Sequence, residues 1–495
     1  MSILPPGENG LVNPIRLLLA QLGQRPAGSD DELAPYAGLL YAGGALNDQT
    51  LTTYFHPETL SVAPADVSRV ETLQPPQGTV AITRDRQDVP HIRSSDARAL
   101  AFGAGYAAAE DRLFLMDVLR HYGSGTLASF LGPTCDNERM DHDQLLVAPY
   151  TDAERQAQLA ALPTSYGAPG AQLADMAAGY VAGINEYIAE TRLDVTKLPV
   201  DYATTSNPLP QPWTSSDVIS IAALVGGILG KGGGAELRNA ALYQHLLRLT
   251  ANSGDAASIL ADLRQQNDPD APTTIRDRPF PYESPGAIDP STIALPDNAE
   301  AAVAAAAHPG PDEPDCVTPA GASAGSGLPL LQAGASLPQI LASTGHSNAL
   351  VVDAAHSASG HPLAVFGPQV GYFAPALLMQ ESLEAPGIAA SGAAFPGTSF
   401  VVEMGRGLNY AWSATSAGTD VTDVRLELLC DPGGGPVAPG EPYYLFQGRC
   451  LPMEHRSFTE LALPTAASIP AGGVLPRLIT HDTYLTRHGV VQGWS

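Results

Sequence analysis

The stretch GHSNALVV, Gly345 to Val352, places a Ser-Asn pair directly before an apolar run typical of a β-strand. The residues just upstream are rich in Pro, Ala and Gly, which is typical of a loose segment. If the peptide bond between His346 and Ser347 is cut, the hydroxyl and the freed α-amino group of Ser347 lie on one residue, so nucleophile and base come as a unit. A Ser-Asn pair is also common in turns, so the surrounding sequence decides the interpretation.

The chain changes character along its length, and we divide it into four regions. Residues 1–77 are predicted to be irregular apart from a short helix-like run near Ile15–Leu22. Residues 78–266 form an α-rich region with a helical pattern over Ser94–Tyr122. Residues 267–346 keep no periodicity and are predicted to be a linker or removable spacer. In 347–495 the pattern becomes β-rich, with short apolar runs separated by Gly and Pro turns. This order favours a precursor that is cut in two over two independent domains.

Shorter elements follow from the same periodicities. In the first half, strands are predicted at Thr79–Thr83 and Val89–Ile92, and helices at Ala171–Thr191 and Glu236–Leu249. In the second half, strands are predicted at ALVVD, PLAVF, SFVVEM, YAWSAT, VRLELL and YYLF. The tripeptide Glu110-Asp111-Arg112 lies on the long helix and is predicted to form a buried salt-bridge network that holds the two parts of the chain together. For His91, within a strand pattern, we expect a hydrogen-bonded structural role.

Composition excludes some classes of partner. The 495 residues carry 51 acidic and 25 basic side chains, for a net charge of -26. Nucleic acid and anionic membranes would be repelled by this charge, so we expect neither as a partner. No apolar stretch reaches the length of about 18 residues that a membrane span needs, and the N-terminus lacks the pattern of a signal peptide.

The four cysteines show no metal-binding spacing such as CxxC, which argues against a zinc site built from them. Cys430 and Cys450 bracket the turn-rich segment DPGGGPVAPGEP, which would bring two strands together. Their pairing in a disulfide and two separate buried thiols both remain open at this stage.

Blocks along most of the chain resemble the penicillin acylase family of N-terminal nucleophile (Ntn) hydrolases. The resemblance to this family covers roughly residues 78–260 and 345–490 of the chain. The blocks are, in order, RDRQDVPHI (84–92), FGAGYAAAEDRLFLMDVLRHYGSGTLASFLG (102–132), VAGINEYI (181–188), GHSNALVV (345–352), ASGHPLAVFGPQVG (358–371), FPGTSFVVEMGRGLNYAWSATSAGTDVTDV (395–424) and TRHGVV (486–491).

The resemblance implies an α+β fold, a four-layer αββα sandwich, and a precursor cut into a heterodimer of small and large chains. It makes Ser347 the nucleophile and places the cut between His346 and Ser347. Gln369 matches a position whose backbone helps to hold the amino group of the serine. Ser416 matches the position whose backbone N–H contributes to the oxyanion hole. The expected reaction is hydrolysis of the amide bond of an N-acyl small molecule, β-lactam-type or related, through an acyl-enzyme.

The resemblance also implies one structural calcium ion. Asp420 and Asp423 match two ligands, Thr422 offers a carbonyl, and Glu236 matches a remote carboxylate from the small chain. Hard oxygen ligands of this kind suit Ca²⁺. Taken without the family, two Asp in a Gly-flanked segment are typical of a turn.

The acyl pocket is expected to differ from that of related acylases. Gly226 and Gly230 stand where relatives place bulky side chains, and Val370 is assigned to the same pocket. These residues predict a roomier or reshaped acyl pocket, so the family resemblance does not imply that this protein prefers phenylacetyl groups.

The chain departs from the family at its end, GVVQGWS, which falls inside an expected strand. We therefore expect a fragment, truncated at the C-terminus, that lacks the Asn side chain of the oxyanion hole. By the same resemblance the protein is expected to be periplasmic or secreted.

Three alternatives accompany this interpretation. One is an acyl-homoserine-lactone acylase, and another is a truncated, inactive relative that serves as a binding module. The third is an α/β-hydrolase, because Gly321 to Gly325 matches GxSxG, but that motif needs a preceding strand and a following helix and here lies in the predicted spacer.

Overall fold

The structure is a computed structural model of the chain. Apart from a few single positions between 38 and 54, it describes residues 12–24, 58–230, 232–250, 252–263, 347–368, 376–415, 421–438 and 440–494. The predicted spacer, 267–346, and the GxSxG match within it lie outside the described residues.

The described helices are concentrated in the first half of the chain. They are α1 Pro14–Gln21, α2 Ala97–Ser124, α3 Leu127–Leu131, α4 Cys135–Val147, α5 Asp152–Thr191, α6 Ser215–Leu229, α7 Glu236–Thr250 and α8 Ser253–Leu263. Helix α2 begins after Asp96, whose side chain accepts the Ala99 N–H, and ends at Gly125 in the left-handed conformation. Within the part of the chain that is described, no helix combines the length and apolar character that crossing a membrane requires.

The described strands number fourteen and lie mostly in the second half. They are β1 Val67–Leu73, β2 Val80–Asp85, β3 Pro90–Ser94, β4 Ser347–Val352, β5 Leu363–Pro368, β6 Met379–Ala385, β7 Ile388–Ala394, β8 Met404–Arg406, β9 Ala411–Trp412, β10 Tyr443–Phe446, β11 Arg449–Pro452, β12 Glu454–Ala462, β13 Arg477–Thr486 and β14 Gly489–Val490. The protein is thus a mixed α+β fold.

One sheet joins the two halves of the sequence. Its seven strands follow the order β1-β2-β3-β6-β7-β8-β9. Strand β3 runs parallel to β6, with His91 opposite Ser382, and every other pairing in this sheet is antiparallel. Backbone hydrogen bonds between β3 and β6 therefore connect residues before the predicted spacer to residues after it.

The described residues fall into two compact units. The first lies within Met1–Gly230, Pro314–Ser416 and Phe458–His481, and the second within Lys231–Glu313, Ala417–Ser457 and Asp482–Ser495. The main core belongs to the first unit, where apolar side chains of α2, α5, α6 and the seven-stranded sheet are buried together.

Three smaller sheets complete the described strands. Strands β4 and β5 form one pair, β10 and β11 another, and β12, β13 and β14 a three-stranded sheet in that order.

Helices α2 and α5 approach each other so closely that only glycine fits at the contact. A Cβ on Gly105 would lie 2.0 Å from the carbonyl oxygen of Tyr180, and one on Gly183 would lie 1.9 Å from that of Phe102. Backbone atoms cannot move away as the end of a flexible side chain can, so the sequence must supply glycine here.

We expect Gly105→Ala to lower the free energy of unfolding by about 1–3 kcal/mol, because the added methyl group overpacks the α2–α5 contact. Urea unfolding measures the change. The matched control is Gly226→Ala in α6, where no atom lies within 4 Å of the added Cβ. The control should be neutral or should stabilise by up to ~1 kcal/mol, as alanine does in a helix. Equal losses in both variants would contradict the close-contact explanation.

A buried ion-pair network ties the sheet to α2. The guanidinium of Arg84 donates to Asp111 at 3.0 Å and to Glu110 at 2.6 Å, and Arg69 pairs with Glu110 at 2.9 Å. Arg112 donates to the carbonyl oxygen of Ala376 at 3.3 Å. Glu110 and Asp111 therefore form the predicted buried salt bridges within the first half of the sequence, and Arg112 reaches the second half through a backbone carbonyl oxygen.

Several predicted elements differ from the observed ones. The segment 1–77 contains the predicted short helix as α1, but it also contains strand β1, where an irregular segment was predicted. The run VRLELL, predicted to be a strand, contributes only an isolated bridge at Leu429, and in SFVVEM the strand begins only at Met404. Strand prediction followed apolar alternation, whereas a strand forms only where a partner supplies the hydrogen bonds.

Candidate active site and metal-binding residues

The predicted nucleophile, Ser347, is the first residue of β4. Strand β4 pairs antiparallel with β5, and Ser347 lies opposite Pro368, the residue directly before Gln369. Ser347 is exposed in the described part of the chain.

The β4–β5 hairpin exposes apolar side chains as well. Leu350 and Val351 are 65% exposed and Val365 is 66% exposed, values that contrast with the buried strands of the seven-stranded sheet. The main core therefore lies elsewhere, and within the described residues these apolar side chains remain at the surface.

Five predicted site residues lie outside the described residues. They are His346, Gln369, Val370, Ser416 and Asp420. Their roles therefore stay predictions.

The chain brings the described calcium-ligand candidates together. Glu236 begins α7, and its Oε2 accepts the N–H of Val424 at 2.9 Å across 188 residues of sequence. The Gly234 N–H donates to the carbonyl oxygen of Thr422 at 2.5 Å, and Asp423 pairs with Arg425 at 3.2 Å. The two carboxylates and the peptide carbonyl are hard-oxygen donors, the type of ligand that Ca²⁺ takes.

The two glycines assigned to the acyl pocket lie one helical turn apart. Gly226 is in α6, and Gly230 caps that helix by donating its N–H to the Gly226 carbonyl oxygen at 2.9 Å. Among the described residues, no atom outside the neighbouring backbone of α6 lies within 4 Å of a Cβ placed on Gly226, and Gly226 is exposed.

A disulfide joins Cys430 and Cys450. The segment between them includes β10, and Cys450 of β11 lies opposite Leu445. Cys135 carries a free thiol.

A group of buried ligand-type side chains was not anticipated from the sequence. Asp141 of α4, Glu460 of β12 and His481 of β13 place one ligand atom each within 4.8 Å of one another, so the group could hold a metal ion. Burial, together with the facing Glu460 carboxylate, raises the pKa of Asp141. The three residues lie in no short motif, and only the tertiary packing reveals the group.

One acidic residue of the seven-stranded sheet region is buried and a second is half-buried. Glu381 of β6 is fully buried. Its burial is the main cause that raises its pKa, and the negative charge of the neighbouring Glu403 raises it further. The Glu403 carboxylate accepts the Phe395 N–H at 3.1 Å and the Thr398 hydroxyl at 3.2 Å. Burial nevertheless raises the pKa of Glu403 to about 8.

Glu403 should make the folded state less stable as pH rises. Its folded pKa of about 8 lies above the ordinary value of 4.5, so the folded state keeps a proton that the unfolded chain releases in this range. The stability that comes from keeping Glu403 protonated in the folded state is complete below about pH 4.5 and is lost as pH rises to about 8. Glu403→Gln should flatten this part of the stability profile, measured by urea unfolding across the range.

The matched control for Glu403 is Glu384→Gln, because Glu384 is an exposed partner of Arg93 at 2.6 Å. The free energy of unfolding of this variant should depend on pH in the same way as that of the unaltered protein. If the free energy of unfolding of Glu403→Gln also changed with pH in the same way as that of the unaltered protein, the pKa of the Glu403 carboxyl would not be raised by folding.

Comparison with known proteins identifies the family. The family model described as penicillin amidase matches residues 79–493, most of the chain. The chain belongs to the penicillin amidase family. The family resemblance predicted from the sequence is thereby confirmed.

Individual relatives of this penicillin amidase family member are distant. Penicillin G acylase of Escherichia coli is 28% identical over 400 residues, which cover 77% of this chain and 43% of that protein. Acyl-homoserine lactone acylase PvdQ of Pseudomonas fluorescens strain Pf-5 is 24% identical over 427 residues, covering 85% of this chain and 42% of that protein. The chain therefore spans less than half the length of these two relatives.

A similar solved structure is a thermostable penicillin G acylase from Alcaligenes faecalis. It is 30% identical, and the match covers 40% of this chain and 97% of that chain with a TM-score of 0.34.

Proposed function

We propose that the protein to which this chain belongs is a self-processing amidohydrolase that cleaves the amide bond of an N-acyl small molecule. Membership of the penicillin amidase family, with Ser347 at the start of β4, is the observation that carries this proposal. The family fold supports the finer expectation of a four-layer αββα sandwich.

The chemistry begins with a cut between His346 and Ser347, which frees the α-amine of Ser347. That amine then takes the proton of its own hydroxyl as Oγ attacks the substrate carbonyl. An unperturbed α-amine has a pKa of about 7.7–8.0, which suits a general base near neutral pH. The backbone N–H at Ser416 helps to hold the oxyanion, the amine product leaves, and water releases the acyl group.

The two chains made by this cut would stay together through contacts already present in the first unit. Strand β3 of the first part pairs with β6 of the second part. Arg93 and Glu384 add an ion pair at 2.6 Å between these two strands. A heterodimer of small and large chains is consistent with this pairing.

A structural calcium ion would be held by Glu236, Asp420, Thr422 and Asp423. The approach of Glu236 to Val424 supports this set, because it joins α7 to the segment that contains the other ligands. The ion would cross-link the two segments through oxygen ligands and takes no part in the chemical steps.

The compartment we propose is the periplasm or the outside of the cell. The Cys430–Cys450 disulfide supports this proposal, because disulfides persist in oxidising compartments.

A second candidate substrate class is the acyl-homoserine lactones. The match to the Pseudomonas fluorescens acyl-homoserine lactone acylase favours it, since that match covers 85% of this chain. Gly226 and Gly230 support an acyl pocket that is not filled by bulky side chains of α6. A panel of phenylacetyl, glutaryl and long-chain acyl amides, with homoserine-lactone and β-lactam amines, distinguishes the two classes.

The test of the proposal is the intact mass and N-terminal sequence of the natural gene product isolated from its source cells. Two chains, with the second beginning at Ser347, and hydrolysis of at least one N-acyl amide would support it. A chain uncut before Ser347 with no activity on the panel would overturn it and favour a binding module.

A further inference from the structure

The buried group of Asp141, Glu460 and His481 lies where α3 and α4 pack on β12 and β13. Ala128 of α3, Ala462 of β12 and Ile479 of β13 form a small apolar cluster there. The carboxylate of Asp141 accepts the N–H of Leu127 at 2.6 Å and that of Ala128 at 2.7 Å. These contacts fix the Asp141 side chain in place.

The other two side chains point to the same spot from adjacent strands. His481 is 2% exposed, and its ring centroid lies 6.0 Å from that of His142. Both carboxylate oxygens of Glu460 are buried, and neither has a hydrogen-bond partner of normal geometry among the described residues. The Glu460 carboxyl lies beside Ser129 and Asp141.

The charges at this spot are not balanced by a nearby basic side chain of β13. Arg477, which begins that strand, pairs instead with Glu138 at 2.8 Å. Two facing carboxylates in a buried place repel each other unless a cation lies between them or one of them takes a proton. The His481 imidazole offers a ligand atom within 4.8 Å of one from each carboxylate, so it can supply a third ligand.

We propose that Asp141, Glu460 and His481 bind a divalent transition-metal ion of the zinc class. One imidazole nitrogen with two carboxylate oxygens is a ligand set that Zn²⁺ accepts, whereas Ca²⁺ takes oxygen ligands. The ion joins α4 of the first half of the sequence to β12 and β13 of the second half. This site shares no residue with the calcium candidates, and it does not rest on the proposed amidohydrolase activity.

The test is metal binding by the tag-free full chain after treatment with chelator. Isothermal titration with Zn²⁺ in the presence of excess Ca²⁺ should show one tight site, and Co²⁺ should give the visible absorption of a coordinated ion. Zn²⁺ should also raise the melting temperature, because it binds the folded state in preference to the unfolded chain. Each of these readouts is independent of catalysis.

The variants Glu460→Gln and His481→Gln each remove one ligand and keep the side-chain size similar. Zn²⁺ binding should weaken by more than about 100-fold in each, since even outer-shell changes cost about 10–100-fold. The matched control is His455→Gln, because His455 of β12 makes an exposed pair with Asp482 at 2.9 Å. The control should bind as the unaltered chain does.

Two outcomes would overturn the proposal. One is Zn²⁺ affinity that is the same in Glu460→Gln, His481→Gln and the unaltered chain. The other is no Zn²⁺ binding to a folded unaltered chain, together with a higher melting temperature of Glu460→Gln, which would show that the two carboxyl groups share a proton instead. Circular dichroism establishes that each variant is folded before it is titrated.

Discussion

Replacing Ser347 by alanine is expected to leave the natural gene product as one chain and to abolish its hydrolysis of N-acyl amides. The alanine has no hydroxyl to attack either the preceding peptide bond or a substrate carbonyl, so both reactions lose their nucleophile. Loss of a nucleophile that acts with its base as a unit lowers kcat by about 10⁶-fold. Intact mass measures the cut, and a discontinuous assay with the acyl panel measures the activity.

The matched control for Ser347 is Ser357→Ala. Ser357 follows β4 in the same exposed hairpin region, and its hydroxyl lies 2.8 Å from that of Ser359. This control should be cut and should be as active as the unaltered protein. Activity that survives in Ser347→Ala would disprove the assignment of the nucleophile. Loss of both chain cleavage and activity in Ser357→Ala would point to a folding defect instead.

The sequence predicted best where local signals and long patterns agree. The long helix was expected over Ser94–Tyr122 and is found over Ala97–Ser124, because a capping aspartate and a terminal glycine mark its ends. The strand that begins at Ser347 and its partner are likewise predicted by ALVVD and PLAVF and are found as β4 and β5. In each of these elements the periodicity is local and no distant partner is needed to recognise it.

What the sequence could not predict depends on partners far along the chain. Strand β6 carries Glu381 and Glu384 and so does not show a simple apolar alternation, yet it lies inside the seven-stranded sheet beside β3. The group of Asp141, Glu460 and His481 likewise exists only because α4 packs near β12 and β13. Neither feature has a short motif that could have revealed it.

The approach of Glu236 to the Thr422–Val424 segment lies between these two cases, because the family resemblance predicted it and local patterns did not. Family resemblance selected these residues, while the spacing alone gave only an acidic turn. The hydrogen bond from the Val424 N–H to Glu236 now places the two segments together. A resemblance therefore selected residues that local patterns leave undistinguished.

Replacing Arg84 by methionine is expected to lower the free energy of unfolding by about 3–5 kcal/mol, the usual cost of leaving buried charges without their partner. Arg84 is fully buried, and besides Glu110 and Asp111 its guanidinium donates to the Asp88 carbonyl oxygen at 2.9 Å. After the change, two buried carboxylates of α2 would face each other with Arg69 as the basic partner of Glu110. Urea unfolding, followed by circular dichroism, measures the loss.

The matched control is Arg86→Met, two residues along the chain. Arg86 is 65% exposed and pairs with Asp66 at 3.3 Å, and an exposed ion pair of this kind contributes about 0–1 kcal/mol. Arg84→Lys provides a folded intermediate case, because lysine keeps the charge but cannot form the forked contact to both carboxylates. If Arg84→Met and Arg86→Met were equally destabilised, burial of the ion pair would not be what makes Arg84 important. A loss confined to the Arg84 variants would show that the network between sheet and helix stabilises the core on which both halves of the sequence depend.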